Sequence, residues 1–318
     1  LLVLPAAFAI VAPSQPRARR AAAGRLAVFF GLMAIAFAVV CPYALITPQR
    51  FLADLVFNSR HLADGQGADL GRGWTYHLTT SLRYGLGLPL LLAGIAGLLA
   101  MVWREGRRGI LVALYPVAYY LLIGGGRTVF ARYILPAVPF LCLAAGYLVV
   151  VLARWIASVL RRPHLAPALV AVTAGAVVLP STLAVVAFDR LLARDDSRAI
   201  TRRWVESRFV PGTSLAQWGQ PNAQVYADYE ITYRLSSIIR TERPTLVAIA
   251  SGPTNPLPDL HEFLPFLERE YDLAFVADVV PEHDPANVYD LQDEFFLPLT
   301  GFRGIERPGP NLRIFVRR

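Results

Sequence analysis

The sequence predicts an all-α multispanning transmembrane bundle over residues 1–187, followed by a small extracytoplasmic α/β domain over 188–318. Three observations lead there. First, 55% of the 318 residues are hydrophobic and 17% charged, with a positive mean hydropathy, too apolar for an ordinary soluble enzyme. Second, apolar runs near the length that crosses a hydrocarbon core as a helix recur at 26–46, 84–103, 110–126, 134–153 and 165–187. Third, the charge is split: residues 1–187 hold 16 Arg against Asp54, Asp64, Asp69 and Glu105, a net of +12, whereas residues 188–318 are net −4. The two parts are built for different surroundings.

Residues 1–12 read as a sixth span, truncated at its start, because LLVLPAAFAIVAP lacks a basic leader and a small-residue cleavage pattern. Inside a bilayer the backbone has no water to bond, so each run must be helical. Pro42, Pro89, Pro116, Pro136 and Pro139 lie in or near these runs and are expected to start or kink helices. Cys41 and Cys142 both fall in apolar stretches, which gives no disulfide framework.

Orientation follows from the arginines. Loop 13–25 has Arg17, Arg19, Arg20 and Arg25; loop 104–109 has Arg104, Arg107 and Arg108; loop 154–164 has Arg154, Arg161 and Arg162. These loops alternate in the topology, so they share the cytoplasmic side, and segments 47–83, 125–133 and everything after 188 fall on the outer side. Basic residues confined to short loops form no separate basic domain, which argues against a nucleic-acid partner.

The outer segment 47–83 is the one long polar stretch among the spans. In PQRFLADLVFNSRHL, Phe51, Leu52, Leu55, Val56 and Leu62 recur at near-helical spacing, which predicts an amphipathic helix on the membrane surface with Arg60 and His61 near its end. Gly65, Gly67, Gly71 and Gly73 then predict a flexible loop. Trp74, Tyr76, His77 and Arg83 lead back to the membrane as an interfacial belt. A second outer feature, GGGRTVFARYILPAVP, places Arg127, Arg132 and Tyr133 at the mouth of a span. A guanidinium fork matches phosphate oxygens and a phenol adds a donor. Arg60, His61, Arg127, Arg132 and Tyr133 are therefore the candidate lipid-phosphate ligands, with Arg72, His77 and Arg83 as a secondary set. The competing reading of each is a headgroup-level anchor.

After residue 188, Asp195 or Ser197 is placed to cap a helix running to about Arg208, ended by Pro211-Gly212. PTLVAIAS (244–251), LAFVADV (273–279) and LRIFV (312–316) read as strands, with a helix over 260–271. The absence of G-x-G-x-x-G and of a P-loop predicts no nucleotide cofactor, and His261-Glu262 and Glu282-His283-Asp284 lack metal-site spacing.

NSRHLADGQG, GWTYHLTTSLRYGLGLPLLLAGIAGL, RTVFARYILPAVPFL and the tail from DDSRAITRRWVESRFVPGTSLAQ to FLPLTGFRGIERPGPNLRIFVR, taken in order, resemble the C-terminal half of bacterial glycosyltransferase family 39 proteins. That group belongs to the GT-C class and is similar to protein mannosyltransferases and the lipid A aminoarabinose transferase. The resemblance implies a multipass plasma-membrane enzyme that transfers a sugar from a polyprenyl-phosphate carrier to a protein, lipid or glycan acceptor on the outer face, with no cofactor. It also implies a catalytic carboxylate in a first outer loop, which would precede residue 1, so no catalytic residue is carried over. The alternatives are a non-catalytic binding component and a transporter or flippase for a lipid-linked sugar. Transporters tend to show repeated halves, and no internal repeat is visible.

Overall fold

The computed structural model describes residues 7–8, 15–65, 69–219, 223–226, 235–252, 260–279, 284–292 and 296–318. The chain is mostly helical and falls into two compact units, Leu1–Ser181 and Thr182–Arg318. Most of the run expected at 1–12 lies outside the described residues, as do Gly67, Glu282 and His283.

Helix α1, Pro16–Val40, starts about ten residues before the apolar run begins and takes in all four arginines placed in loop 13–25. Pro16 at the first position fits a helix start, and Ala and Arg are good helix formers. It ends where Pro42 forces the residue before it out of helical geometry: Cys41 has φ −123° and ψ 65°. After a single turn, Tyr43–Ile46, helix α2 runs Pro48–Asp64, as its apolar spacing predicts.

Residues 73–86 are helical, where a loop at Gly73, an interfacial belt over 74–83 and the start of a span at 84 were expected. Gly73–Tyr76 leads into a π-helical stretch, His77–Leu82, and a last turn, Arg83–Leu86. The apolar run expected from residue 84 is therefore cut at Gly87, whose φ of +77° only glycine adopts freely. A side chain at Gly87 would also meet the Ser181 hydroxyl, which donates to the Leu86 carbonyl. Helix α3 begins beyond it, Leu88–Glu105, with Pro89 in its first turn.

Helix α4 is Arg107–Gly124 with Pro116 inside. A 3₁₀ stretch, Ala131–Ala137, enters helix α5, Val138–Val159, and helix α6 is Ala166–Leu192. Among the described residues four helical runs are long and apolar enough to cross a membrane: Pro16–Val40, Leu88–Glu105, Ala131–Val159 and Pro163–Arg208, the last containing α6. The run expected at 110–126 forms α4, whose first turn carries Arg107 and Arg108. Helix α3 packs on α4 and most extensively on α5, around Leu91, Leu98, Ile134, Leu141 and Ala144.

In the second unit, α7 (Ser197–Arg208) is capped by Asp196, not by either neighbour: its carboxylate accepts from the Arg198 amide at 2.8 Å. Ser197 is already inside the helix and donates to the Pro310 carbonyl at 2.7 Å, while Asp195 pairs with Arg203. The sheet has order β1-β2-β4-β3, with β1 Leu215–Trp218, β2 Leu246–Ser251, β3 Tyr271–Ala277 and β4 Asn311–Arg317. β1 is parallel to β2, whereas β4 is antiparallel to both β2 and β3. The sequence pattern missed β1, a four-residue strand broken by the polar Gln217. That side chain is spent internally, its amide oxygen accepting from the Val225 and Tyr226 amides at 3.0 and 3.1 Å. Alternation along β2 and β4 sends Leu246, Ala248, Leu312 and Ile314 to the face covered by α7. Val247, Ile249 and Phe315 face Ile239 of α8 (Leu235–Glu242) and Phe263 and Leu267 of α9 (Leu260–Glu270).

Candidate functional site

The two cationic segments singled out in the sequence meet through their main chains. The amides of Arg127 and Thr128 both donate to the Leu62 carbonyl, at 2.9 and 3.1 Å, and the Thr128 hydroxyl donates to the His61 carbonyl. Helix α2 thus ends against the stretch after α4, and the main chain of Arg127 and Thr128 meets that of His61 and Leu62 from more than sixty residues away in sequence. The three glycines make this approach possible. A side chain at Gly126 would strike Leu62, and one at Gly124 would strike the Trp74 ring. Gly73 completes the junction by donating its amide to the Gly126 carbonyl at 2.9 Å.

Trp74 is fixed from both ends: its indole donates to the Leu121 carbonyl at 3.1 Å, and the Tyr120 hydroxyl donates to the Trp74 carbonyl at 2.6 Å. The chain therefore uses Trp74 to lock 73–76 onto α4, which its reading as a surface anchor does not anticipate.

Around this junction the guanidiniums of Arg60 and Arg127 are exposed and His61 is half-buried. The His61 ring lies almost parallel to that of Phe57, with centroids 6.1 Å apart and an 11° angle between planes. Arg132, also exposed, sits over the Phe130 ring at 4.0 Å and near that of Tyr133 at 5.7 Å. Tyr133 is half-buried, its carbonyl accepting from the Tyr119 hydroxyl at 2.7 Å. Arg132 and Tyr133 lie on the 3₁₀ stretch that follows Arg127, the residue whose amide is bonded to the end of α2.

The secondary set divides. Arg72 and Arg83 are exposed and lie over Trp74 and Tyr84, at 5.6 and 5.4 Å. His77 is a correction: it is wholly buried in the π-helical stretch, not at a surface where it would meet a phosphate. Its Nδ1 is 3.1 Å from the Ser81 hydroxyl, and its Nε2 has no hydrogen-bond partner among the described residues. Burial holds the imidazole below its ordinary value of 6.5, which favours the uncharged ring. A neutral, enclosed imidazole is poorly suited to neutralising a phosphate. Tyr76 is buried beside it and is likewise no surface anchor.

No family model, curated protein or solved structure matches the chain.

Beneath the π-helical stretch lies an apolar cavity of about 330 Å³. Leu78, Leu82, Leu91, Leu98, Val117 and Leu141 line it, drawn from the π stretch, α3, α4 and α5. The lining offers shape and apolar contact and almost nothing for a polar group to bond. Among the described residues no group of His, Cys, Asp or Glu is arranged to hold a metal ion. What the arrangement provides chemically is exposed guanidinium charge at a main-chain junction and, separately, an apolar recess among the helices.

The pattern of charged residues pointed to Arg60, His61 and Arg127. It did not pick out Thr128, which is 1% exposed and ties His61 down, nor Phe57. A signal for Phe57 was present: it lies seven residues after Arg50, three after Asp54 and four before His61, an aromatic residue in a polar row.

Proposed function

We propose that this chain forms the carrier-binding part of an integral-membrane glycosyltransferase, one that moves a sugar from a polyprenyl phosphate to an acceptor on the outer face of a plasma membrane. The observation that carries the reading is the junction in which Arg127 and Thr128 hydrogen-bond to the end of α2. It brings the main chain of Arg127 to the end of the helix that carries Arg60 and His61, and guanidinium groups offer a phosphate charge-assisted hydrogen bonds. As the sugar departs, negative charge grows on the carrier phosphate, and cations already in place lower the energy of that state.

Three further points support the reading. Among the described residues four helices are long and apolar enough to cross a membrane, so a lipid-borne substrate has somewhere to reside. The cavity below residues 77–82 has the lining an isoprenoid chain requires. The order of NSRHLADGQG, GWTYHLTTSLR and RTVFARYILPAVPFL resembles that of family 39. In this reading Arg132 and Tyr133 form an outer rim, Arg72 and Arg83 act at headgroup level, and no residue of this chain is assigned as the general base.

Binding of bare undecaprenyl phosphate to the detergent-solubilised chain, followed by native mass spectrometry, tests this. Arg60→Ala and Arg127→Ala are each expected to weaken binding about ten-fold or more, the range for loss of a hydrogen bond to a charged group. Unchanged affinity in both variants would remove the phosphate assignment.

A further inference from the structure

Helix α2 has two unlike sides. Phe51, Leu52, Leu55, Val56 and Leu62 follow helical spacing along one of them, and Phe51 meets Phe37 of α1 edge-on at 6.0 Å. Phe57 does not belong to that stripe. Steps of three, four and seven residues place it with Arg50, Asp54 and His61 on the other side. It is 68% exposed there. A stripe that settles on apolar surroundings does nothing to cover a ring on the opposite side of the same helix.

The ring also has a neighbour. Phe57 and His61 lie nearly parallel, one turn apart, and the main chain at His61 is anchored because its carbonyl accepts from the Thr128 hydroxyl. The next carbonyl, that of Leu62, takes the Arg127 and Thr128 amides. A flat aromatic step thus stands three residues before Arg60 on the same helix and one turn before the main-chain junction with Arg127, and both arginines are exposed.

This pairing suits a phosphate that bears a ring. Guanidinium forks read the phosphate and make the same contact whether or not anything is attached to its far oxygen. A sugar ring has an apolar C–H face and a polar rim of hydroxyls. The C–H face, slightly positive, packs on the electron-rich face of an aromatic ring while the hydroxyls stay in water.

We infer that Phe57, stacked on His61, is the platform for the sugar ring of the carrier-linked donor, so that the chain holds the glycosylated carrier more tightly than the spent one. The inference rests on the phosphate reading above and gives the same site a further role, that of telling donor from product.

The test compares bare undecaprenyl phosphate with undecaprenyl phosphate carrying mannose or 4-aminoarabinose, each bound to the solubilised chain and read by native mass spectrometry. The unsubstituted protein should prefer at least one glycosylated carrier by about three- to ten-fold, the worth of one aromatic contact. Phe57→Ala should bring that preference to about one and leave the bare carrier's affinity unchanged. Phe57→Leu, which keeps apolar bulk without a ring face, should behave like the Ala variant, and Phe57→Trp should retain the preference. Three results would overturn the platform: no preference for any glycosylated carrier in the unsubstituted protein, equal weakening of bare and glycosylated carriers by Phe57→Ala, or full preference in Phe57→Leu. Failure of the phosphate reading looks different, because Arg60→Ala and Arg127→Ala would then leave the bare carrier's affinity intact.

Discussion

In the Leu1–Ser181 unit the helices meet backbone to backbone over Gly and Ala, whereas in the Thr182–Arg318 unit large side chains fill the space between the sheet and the helices on one of its faces. Gly94 and Gly97 of α3 lie directly on α5: a side chain at Gly97 would collide with the Ala144 carbonyl, and one at Gly94 would come within 2.9 Å of that of Leu141. Gly109 of α4 lies as close to Met101. The face α5 turns inward includes Ala144, Ala145, Ala153 and Ala157, all buried. The sheet unit instead fills its core with Phe263, Leu267, Tyr271 and Ile239, each at most 2% exposed. The difference is what lipid around the first unit and water around the second, as in the proposed function, would produce. Between helices in lipid there is little hydrophobic gain from association, so contact comes from backbones that approach closely over small residues. In water the gain scales with apolar area buried, and large side chains bury the most.

The largest expected effect breaks the second half of that comparison. Phe263→Ala empties the centre of the face between the sheet and α9, where Phe263 meets Trp218 edge-on at 5.2 Å and Phe266 at 5.3 Å. A cost of about 3–5 kcal/mol is expected for a buried Phe cut to Ala. Hydrogen exchange should show faster uptake in β2, α9, β3 and β4 with 88–159 unchanged. Gly97→Leu is the mirror experiment, adding bulk where bulk is excluded. Overpacking costs about 1–3 kcal/mol, and its exchange signature should fall on α3 and α5 and spare the sheet. Faster exchange in the sheet from Gly97→Leu would mean that the two packing modes are not separable.

A smaller effect sharpens the comparison through pH. Burial lowers the His77 pKa below 6.5, so the unfolded chain takes up a proton there before the folded one does. The contribution is intact above pH 6.5 and is lost as pH falls through the folded value. Melting of the helical unit should therefore drop on the acid side, and His77→Gln should flatten that drop. Tyr289 of the sheet unit runs the opposite way. Burial pushes its pKa up to about 12, and its hydroxyl has no hydrogen-bond partner among the described residues. The unfolded phenol ionises first, near pH 10, so stability falls as pH rises from there towards 12, and Tyr289→Phe should abolish that loss. Thermal melts followed by exchange in each unit read both arms.

Composition and periodicity carried the mostly helical character, the apolar runs, helix α2, and the strands at 246–251 and 311–317, because each depends on which neighbours along the chain share a face. They also marked Arg60, His61 and Arg127 as basic residues in polar segments between apolar runs. Local sequence did not say that Gly124 and Gly126 serve to let Leu62 and Trp74 come close, because a glycine's purpose depends on what approaches it. Nor did it say that His77 is enclosed while Arg72 is exposed, since both stand in the same polar stretch. Burial there is decided by how residues 73–86 coil against α4, through bonds to Leu121, Tyr120 and Gly126 that lie about fifty residues away. Residue type and spacing set which groups are available and which faces are apolar; which of those groups meet is a property of long-range hydrogen bonds and close backbone contacts, and only the folded chain contains them.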